Sequence, residues 1–401
     1  MMDVMASTPP EIDWTLPADL LLEIMARSDI RTLVRCAALC KLLGRDILDP
    51  FFIRRVTQHG IVPPCILAYL QMPVPMEASP PPLLSLVHPT IPSAALFSDN
   101  HFLPFMRRDI SGIVGDYYPV TSRGGLVLLR RRLHVRSSRP ADLCVYDPIT
   151  GHRTFLSEPP GIPYNSVIFH RCVLLTAANG IDCSFLIFVG SLNTSFPRAV
   201  IVQIFTSLTN TWGPILTHED FTTLWLEVGF DAVVLHGGVI HWLAHNGGKI
   251  LTYDVCIAKP GILELPVFDP ATTKFKGGQL HLGSYSSPDG HMLLMLLVVV
   301  GSTMSVWHHL PCGGWVLETM TYMEDRLRLL DPSAPPEQPL EIWFVLSGER
   351  SNVVLLHMRT SSMTILLDLE TEEMHVTHSA PSTTLLEIDM PSRLRAMTIF
   401  S

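Results

Sequence analysis

A repeated strand–turn–strand unit is the feature that most constrains how this chain can fold. Each unit has an apolar strand that leads, usually through a polar turn, into a second strand. The five units are residues 143–156, 202–216, 250–266, 304–320 and 364–377. Their equivalent turn positions are Asp147, Thr206, Asp254, His308 and Asp368, and these recur roughly every 50 to 60 residues. A regular period of this length predicts a repeat architecture.

Two more candidate strands precede each unit. Residues 227–254 give the clearest case, with a strand, a Gly237-Gly238 turn, a second strand, a Gly247-Gly248 turn and a third strand. Four antiparallel strands at this period are typical of a β-propeller blade. We therefore predict a mainly-β propeller-like domain over residues 95–401, with five to seven four-stranded blades. Residues near 95–118 and the segment 384–397 are expected to form a sixth blade that closes the ring.

The beginning of the chain has a different pattern. Residues 14–58 are predicted to form three short helices, the first of which starts near Pro17, a residue that suits the first helical turn. Apolar residues recur there at helical spacing, at Leu16, Leu20, Leu21 and Ile24. A unit of about forty residues cannot bury all of its leucines internally, so the remaining apolar surface predicts a partner protein. The fold class is thus α+β and multi-domain.

Two segments flank the helical region. Residues 1–13 are expected to be a disordered N-terminus. Residues 59–94 are rich in proline and lack a sustained period, which is typical of a semi-rigid extended linker.

Bulk composition excludes several classes of protein. The formal net charge of −9 argues against a nucleic-acid-binding surface. The chain is apolar overall, with a mean hydropathy of +0.31, but its longest apolar run, Met292–Val300, is far shorter than the roughly 20 residues that span a bilayer. The first residues include acidic side chains and no basic, apolar leader. We expect a cytoplasmic and/or nuclear protein with no membrane partner.

Motifs for catalysis and cofactor binding are missing from the sequence. It has no G-x-S-x-G nucleophile elbow, no glycine-rich phosphate loop and no H-E-x-x-H zinc motif. His236, His241 and His245 share one hairpin-like stretch, but strand geometry need not bring them together, and we expect no metal there. We therefore expect a non-catalytic protein without a cofactor.

Some charged residues have simple structural interpretations. Residues 123–139 carry six arginines and are expected to form two strands joined by a solvated basic loop. Asp116, Asp231 and Asp289 lie beside strands and close to glycine, so they are interpreted as turn formers.

The helical segment resembles the F-box, the module that docks onto the Skp adaptor of cullin-based ubiquitin ligases. The resemblance rests on the stretch LPADLLLEIMARSDIRTLVRCAALCK, residues 16–41, and the following DPFF. One departure is that Leu43 stands where the family commonly has tryptophan. The resemblance implies that the Skp adaptor contacts a set of mainly apolar side chains: Leu16, Pro17, Leu20, Leu21, Ile24, Leu39, Cys40, Lys41 and Leu43.

The C-terminal region is similar to the F-box-associated, propeller-like domain of grass F-box proteins. The similar stretches are SRGGLVLLRRR, DLCVYDPITGHRTFL, GGVIHWLA, ILTYDV and GGWVLE. The two resemblances together imply a substrate-recognition adaptor of an SCF-type cullin ubiquitin ligase, whose propeller binds a client protein that the sequence does not identify.

Two other functions remain open at this stage. The protein could be a propeller enzyme or a binder of a small ligand such as a sugar, with the helices as a dimerisation element. It could also be a scaffold that keeps the F-box but acts outside the ligase, and Leu43 in place of tryptophan is the feature that favours this alternative.

Overall fold

The computed structural model describes most of the chain between residues 117 and 389, together with short segments before it. The described residues are 17–28, 36, 46–47, 49, 52, 65–71, 84–87, 117–131, 143–148, 151–162, 170–193, 198–229, 231–244, 248–268, 275, 278–286, 292–332, 334–335, 337–349, 351–377 and 383–389. The elements that precede the first blade are helix α1 (Ala18–Ala26) and strands β1 (Cys65–Gln71) and β2 (Leu84–Val87).

Five antiparallel sheets follow one another along the chain as the blades of a propeller. Blade 1 contains β3 (Tyr117–Arg123), β4 (Leu126–Arg131), β5 (Leu143–Tyr146) and β6 (Arg153–Leu156). Blade 2 contains β7 (Arg171–Thr176), β8 (Phe185–Asn193), β9 (Ala199–Thr206) and β10 (Thr211–Trp212), and β11 (Leu216–His218) also pairs with β9. Blade 3 contains β12 (Val233–Val234), β13 (Val239–Leu243), β14 (Lys249–Asp254) and β15 (Lys259–Glu264).

The last two blades have the same order. Blade 4 contains β16 (Leu280–Ser286), β17 (Met292–Val300), β18 (Thr303–His309) and β19 (Trp315–Tyr322). Blade 5 contains β20 (Ile342–Ser347), β21 (Val353–Met358), β22 (Met363–Asp368) and β23 (Met374–Thr377). Two short helices, α2 (Thr222–Glu227) and α3 (Glu324–Leu330), lie in connections between blades.

A three-stranded sheet joins the two ends of the described chain. Its strand order is β2–β1–β24, where β24 spans Thr383–Asp389. β24 pairs antiparallel with β1 over its whole length, from Cys65 opposite Asp389 to Gln71 opposite Thr383. A propeller closed in this way leaves fewer sheet edges exposed to unwanted pairing.

The structure confirms the repeat and shows strands within the predicted linker. All five predicted units are the outer two strands of a blade. The linker predicted over residues 59–94 was too broad, because β1 and β2 lie inside it and pair with β24. Among the described residues the closing sheet has three strands, β2, β1 and β24. Residues 95–116, which were predicted to contribute to it, lie outside the described residues, and Tyr117 and Tyr118 belong to β3 of blade 1. Of the three predicted helices only α1 is described as a helix with bounds, and most of residues 29–58 lies outside the described residues.

The turn between the outer strands of each blade repeats in its chemistry. In blade 3, Asp254 Oδ1 accepts hydrogen bonds from the N–H groups of Cys256 and Ile257, at 2.9 and 3.2 Å. In blade 5, Asp368 Oδ1 does the same for the two equivalent residues. In blades 1, 2, 3 and 5 the residue four places after the turn start has a positive φ: Gly151, Asn210, Ala258 and Glu372. In blades 3 and 5 an aspartate that caps its own turn therefore helps to fix the register of the outer hairpin.

Apolar side chains fill the space between neighbouring blades. One cluster joins blades 2 and 3, where Phe188 lies 5.4 Å from Trp242 and 5.0 Å from Tyr253 between ring centroids. Trp225 on α2 is buried against the same rings. Trp225 and Trp242 therefore act as packing residues between blades 2 and 3.

Two tryptophans on outer strands also tie neighbouring blades together by hydrogen bonds. Trp212 Nε1 in blade 2 donates to Ser157 O just after β6, at 3.0 Å. Trp315 Nε1 in blade 4 donates to Glu264 O of β15, at 2.9 Å. Each bond crosses from an outer strand to the outer edge of the preceding blade, so it resists separation of the blades.

Candidate functional site: the central channel

The innermost strands of the five blades and β24 enclose a cavity of about 140 Å³. Every one of these six strands, or the segment beside it, contributes to the wall. The polar side chains of the wall are Thr121, Ser122, Arg123, Cys172, Asp231, His281, Ser284, Ser347, Glu349, Thr384 and Glu387. We call this cavity the central channel. A cavity of this size accepts a small molecule of about one six-membered ring.

Arg123 is the cation of the channel wall. It ends β3 and is only 8% exposed. One guanidinium nitrogen donates to Ala232 O beside β12 at 3.0 Å, and another lies 3.7 Å from Glu349 Oε1. Its Nε is buried and has no hydrogen-bond partner among the described residues. Arg123 thus bridges three blades through its two terminal guanidinium nitrogens.

Two glutamates, Glu349 and Glu387, also line the channel. Glu387 of β24 is buried, and its Oε2 accepts hydrogen bonds from Glu349 N at 2.6 Å and from the Ser351 hydroxyl at 3.2 Å. Glu349 O in turn accepts a hydrogen bond from Ser284 of β16 at 3.0 Å. These bonds cross between blades 4 and 5 and the closing sheet, so they hold the carboxylates in fixed positions.

His281 completes the polar wall. Its Nε2 lies 3.0 Å from Ser347 Oγ, and its ring stacks at 5.8 Å from the ring of Phe344. Burial lowers the pKa of His281 to about 4, because the charged imidazolium loses its hydration there. His281 is therefore neutral near pH 7 and can exchange a hydrogen bond with a ligand without adding charge.

Cys172 of β7 also lines the channel, and its chemistry is passive. Burial raises the pKa of its thiol, and the Arg130 guanidinium, which donates to the sulfur at 3.4 Å, only partly opposes this effect. A protonated thiol is a poor nucleophile. The described channel residues thus offer hydrogen-bond donors, acceptors and carboxylate charge, an arrangement suited to binding a polar group.

Sequence reasoning missed the channel residues, and in two cases it assigned them another role. Asp231 was predicted to be a turn former, but it lies in the channel wall. Arg123 and Arg130 belong to the stretch that was predicted to form two strands joined by a solvated basic loop; both lie on strands of blade 1 and are buried. One sequence signal could have indicated the channel. Arg123 and Ser347 are polar residues that each end an innermost strand directly before a glycine.

The residues that were predicted to contact the Skp adaptor are not among those that line the channel. Pro17 caps α1, and the next turn presents Leu20 and Ile24, which are 52% and 51% exposed. These two residues are four apart and share one face of the helix. Leu21 is half-buried. Leu16, Leu39, Cys40, Lys41 and Leu43 lie outside the described residues.

The described residues contain neither a candidate metal site nor a candidate membrane-spanning helix. No group of three or more His, Cys, Asp or Glu side chains comes together as a metal site there. His245 lies outside that set, whereas His236 and His241 belong to it. In the same part of the chain no helix has the length and apolar character needed to cross a membrane.

A family model covers residues 94–400, which is more than half of the chain, and its description is "Domain of unknown function (DUF7595)". The chain belongs to the DUF7595 family. The matched residues contain all five blades and β24 of this DUF7595 protein. No curated protein matches the sequence.

Solved structures with a similar chain path share little sequence with this DUF7595 protein. A protein from Lactobacillus plantarum is 8% identical, with a TM-score of 0.38, over 78% of this chain and 82% of that one. The periplasmic gluconolactonase of Pseudomonas aeruginosa is 12% identical, with a TM-score of 0.34, over 63% and 68%. A chain of a nidogen/laminin complex is 10% identical, with a TM-score of 0.34, over 81% and 97%. Likenesses at these TM-scores carry no argument about function.

Proposed function

We propose that this protein is a substrate-recognition adaptor of an SCF-type cullin ubiquitin ligase. The propeller fold itself supports a role in binding a protein or a small ligand. The observation that carries the finer proposal is the exposed pair Leu20 and Ile24 on α1, which belongs to the stretch that resembles an F-box.

The physical case for docking at α1 begins with exposure. Met25 and Ala26 on the same helix are buried, so α1 already has a face packed inward. Leu20 and Ile24 remain in water, and removing a large apolar side chain from water contributes about 1.5–3 kcal/mol. A Skp adaptor with an apolar groove would gain that energy from both residues.

In this proposal the protein carries out no bond chemistry. The adaptor would join the helical segment, and the propeller would hold a client so that its lysines stay near a charged ubiquitin-conjugating enzyme. The benefit is a higher effective concentration of the two reacting partners. The grass origin and the cytoplasmic or nuclear location belong to the same proposal.

Co-purification of the full chain with a grass Skp adaptor tests this function. The variant Leu20→Asp/Ile24→Asp places two charges in the proposed interface, which costs several kcal/mol if they are buried. We expect the wild type to bind and this variant to lose binding. Leu329→Asp is the matched control, because Leu329 is an exposed leucine on α3. Loss of binding in the control as well, or no binding by the wild type, would argue against the proposal.

A second candidate function is the binding of a small hydroxylated molecule in the central channel. The polar lining of the channel, which includes Arg123, Glu349 and Glu387, favours it. A polyol offers acceptors to Arg123 and donors to the carboxylates. Titration calorimetry with glucose and myo-inositol, on the wild type and on Arg123→Met, provides the test. Heat of binding that disappears in Arg123→Met would support a ligand site, and no heat with either compound would count against it.

A further inference from the structure

The outer strand of blade 4 differs from the outer strands of the other blades. β19 is eight residues long and contains no proline, lysine or arginine. β6 and β23 have four residues each, and β10 has two. β15 has six, but Lys259 and Pro260 begin it, and both residue types discourage pairing at a sheet edge. Among the described outer strands, β19 is therefore the longest one without proline, lysine or arginine.

The exposed side chains of β19 are largely apolar. Met320 is 64% exposed and Tyr322 is 59% exposed, and Val316 and Leu317 are exposed as well. A long, apolar edge strand presents unpaired backbone N–H and C=O groups together with apolar surface. These are the two components that a protein uses when it accepts an additional strand from a partner.

Glu318 gives this edge a charge preference. The pairing of β18 with β19 shifts at this point, since Trp307 lies opposite Leu317 and Val306 opposite Thr319, so Glu318 is the extra residue of a β-bulge. Its side chain is 58% exposed, and its carboxylate lies 3.6 Å from His308 Nδ1. Burial lowers the pKa of His308, against the opposing effect of Glu318. His308 is therefore mainly neutral near pH 7, and Glu318 keeps its negative charge.

The same residue argues against a second copy of this chain as the occupant. In a twofold antiparallel pair centred on the bulge, Glu318 would face Glu318, and like charges directly opposite each other are destabilising. A strand with a basic residue at this position does not have this problem.

We propose that β19 accepts an extended segment of another protein as a fifth strand of blade 4, with apolar residues in alternation and a lysine or arginine opposite Glu318. This inference rests on the protein-binding role of the propeller and specifies the chemistry of its partner. The backbone edge would contribute affinity, and Glu318 would contribute the charge preference.

Selection from a phage-displayed library of random dodecapeptides on the full chain tests the proposal. We expect enriched peptides to alternate apolar and polar residues and to carry a basic residue. Selection on Glu318→Lys should instead enrich acidic peptides, and a synthetic peptide selected on the wild type should bind this variant about tenfold more weakly. Glu219→Lys changes an exposed carboxylate elsewhere and should leave both results unchanged.

N-methylated versions of a selected peptide provide a second test, because an N-methyl group removes a backbone hydrogen-bond donor. N-methylation of alternate residues along one edge of a selected peptide should abolish binding, and methylation of the opposite edge should not, because only one edge pairs with β19. The proposal is overturned if no peptide is enriched or if enriched peptides bind Glu318→Lys equally well. It is also overturned if binding survives both in the peptide methylated on one edge and in the peptide methylated on the other. Neither arm uses the Skp adaptor, so a failure here is distinguishable from a failure of the docking proposal at α1.

Discussion

Acid is expected to destabilise the propeller through the buried histidine of the channel wall. His281 has a pKa of about 4 in the folded protein, against the ordinary value of 6.5. The depressed value means that the fold holds the neutral ring, whereas the unfolded chain takes up a proton below about pH 6.5. The contribution of His281 is thus fully present above pH 6.5 and is lost as the pH falls toward 4.

The expected size follows from linkage. Each unit of pKa difference corresponds to about 1.4 kcal/mol, so the loss between pH 7.5 and pH 4.5 is about 2.5 kcal/mol for this residue. His281→Gln removes the titration and retains a group that can hydrogen-bond to Ser347. When the pH is lowered from 7.5 to 4.5, the free energy of unfolding of His281→Gln should therefore fall by about 2.5 kcal/mol less than that of the wild type.

Urea denaturation followed by tryptophan fluorescence at pH 7.5 and pH 4.5 measures this difference. His375→Gln serves as the control, because His375 is exposed and its replacement should leave the pH dependence unchanged. His241 is also buried and has a pKa of about 4, lowered by burial against backbone hydrogen bonds, so His241→Gln should behave like His281→Gln. An equal loss of stability in the wild type and His281→Gln would refute the reasoning.

Three further predictions concern stability and use the same urea assay at pH 7.5. Trp315→Phe removes the N–H that reaches Glu264 O, which should lower the free energy of unfolding by about 1 kcal/mol; an unchanged value would mean that this bond does not tie blades 3 and 4. Gly190→Ala would place a Cβ 2.3 Å from Trp225 Cη2, and this overpacking should cost about 1–3 kcal/mol; a stable variant would contradict the tight packing of α2 on β8. Asp368→Ala removes the acceptor of two turn N–H groups and should cost about 1 kcal/mol, whereas no loss would show that the turn forms without its cap.

The outer hairpins could be predicted because their information is local. Asp254 and Asp368 cap their own turns, and the residues that follow show the alternation of a strand. The same local chemistry recurs from blade to blade, so the period was visible in the sequence. Five blades were visible in this way, although the predicted number ranged from five to seven.

Residues 384–397 were expected to help close the ring, and most of β24 lies there, but its partners β1 and β2 could not be predicted because the information for this pairing is not local. β1 and β24 pair although Cys65 and Asp389 lie at opposite ends of the chain, and a proline-rich surrounding hid β1 from pattern analysis. The channel was missed for a related reason. Arg123 and Glu349 come from different blades, so only closure of the ring brings them together, and each residue alone resembles an ordinary surface charge.

Assembly of a ternary complex tests the central claim most directly. Purified full-length protein, a grass Skp adaptor and the matching cullin would be mixed and measured by size-exclusion chromatography with light scattering. We predict one species with the mass of a 1:1:1 complex, and its loss when Leu20→Asp/Ile24→Asp replaces the wild type. A complex of the adaptor and cullin that leaves this protein free would contradict the account.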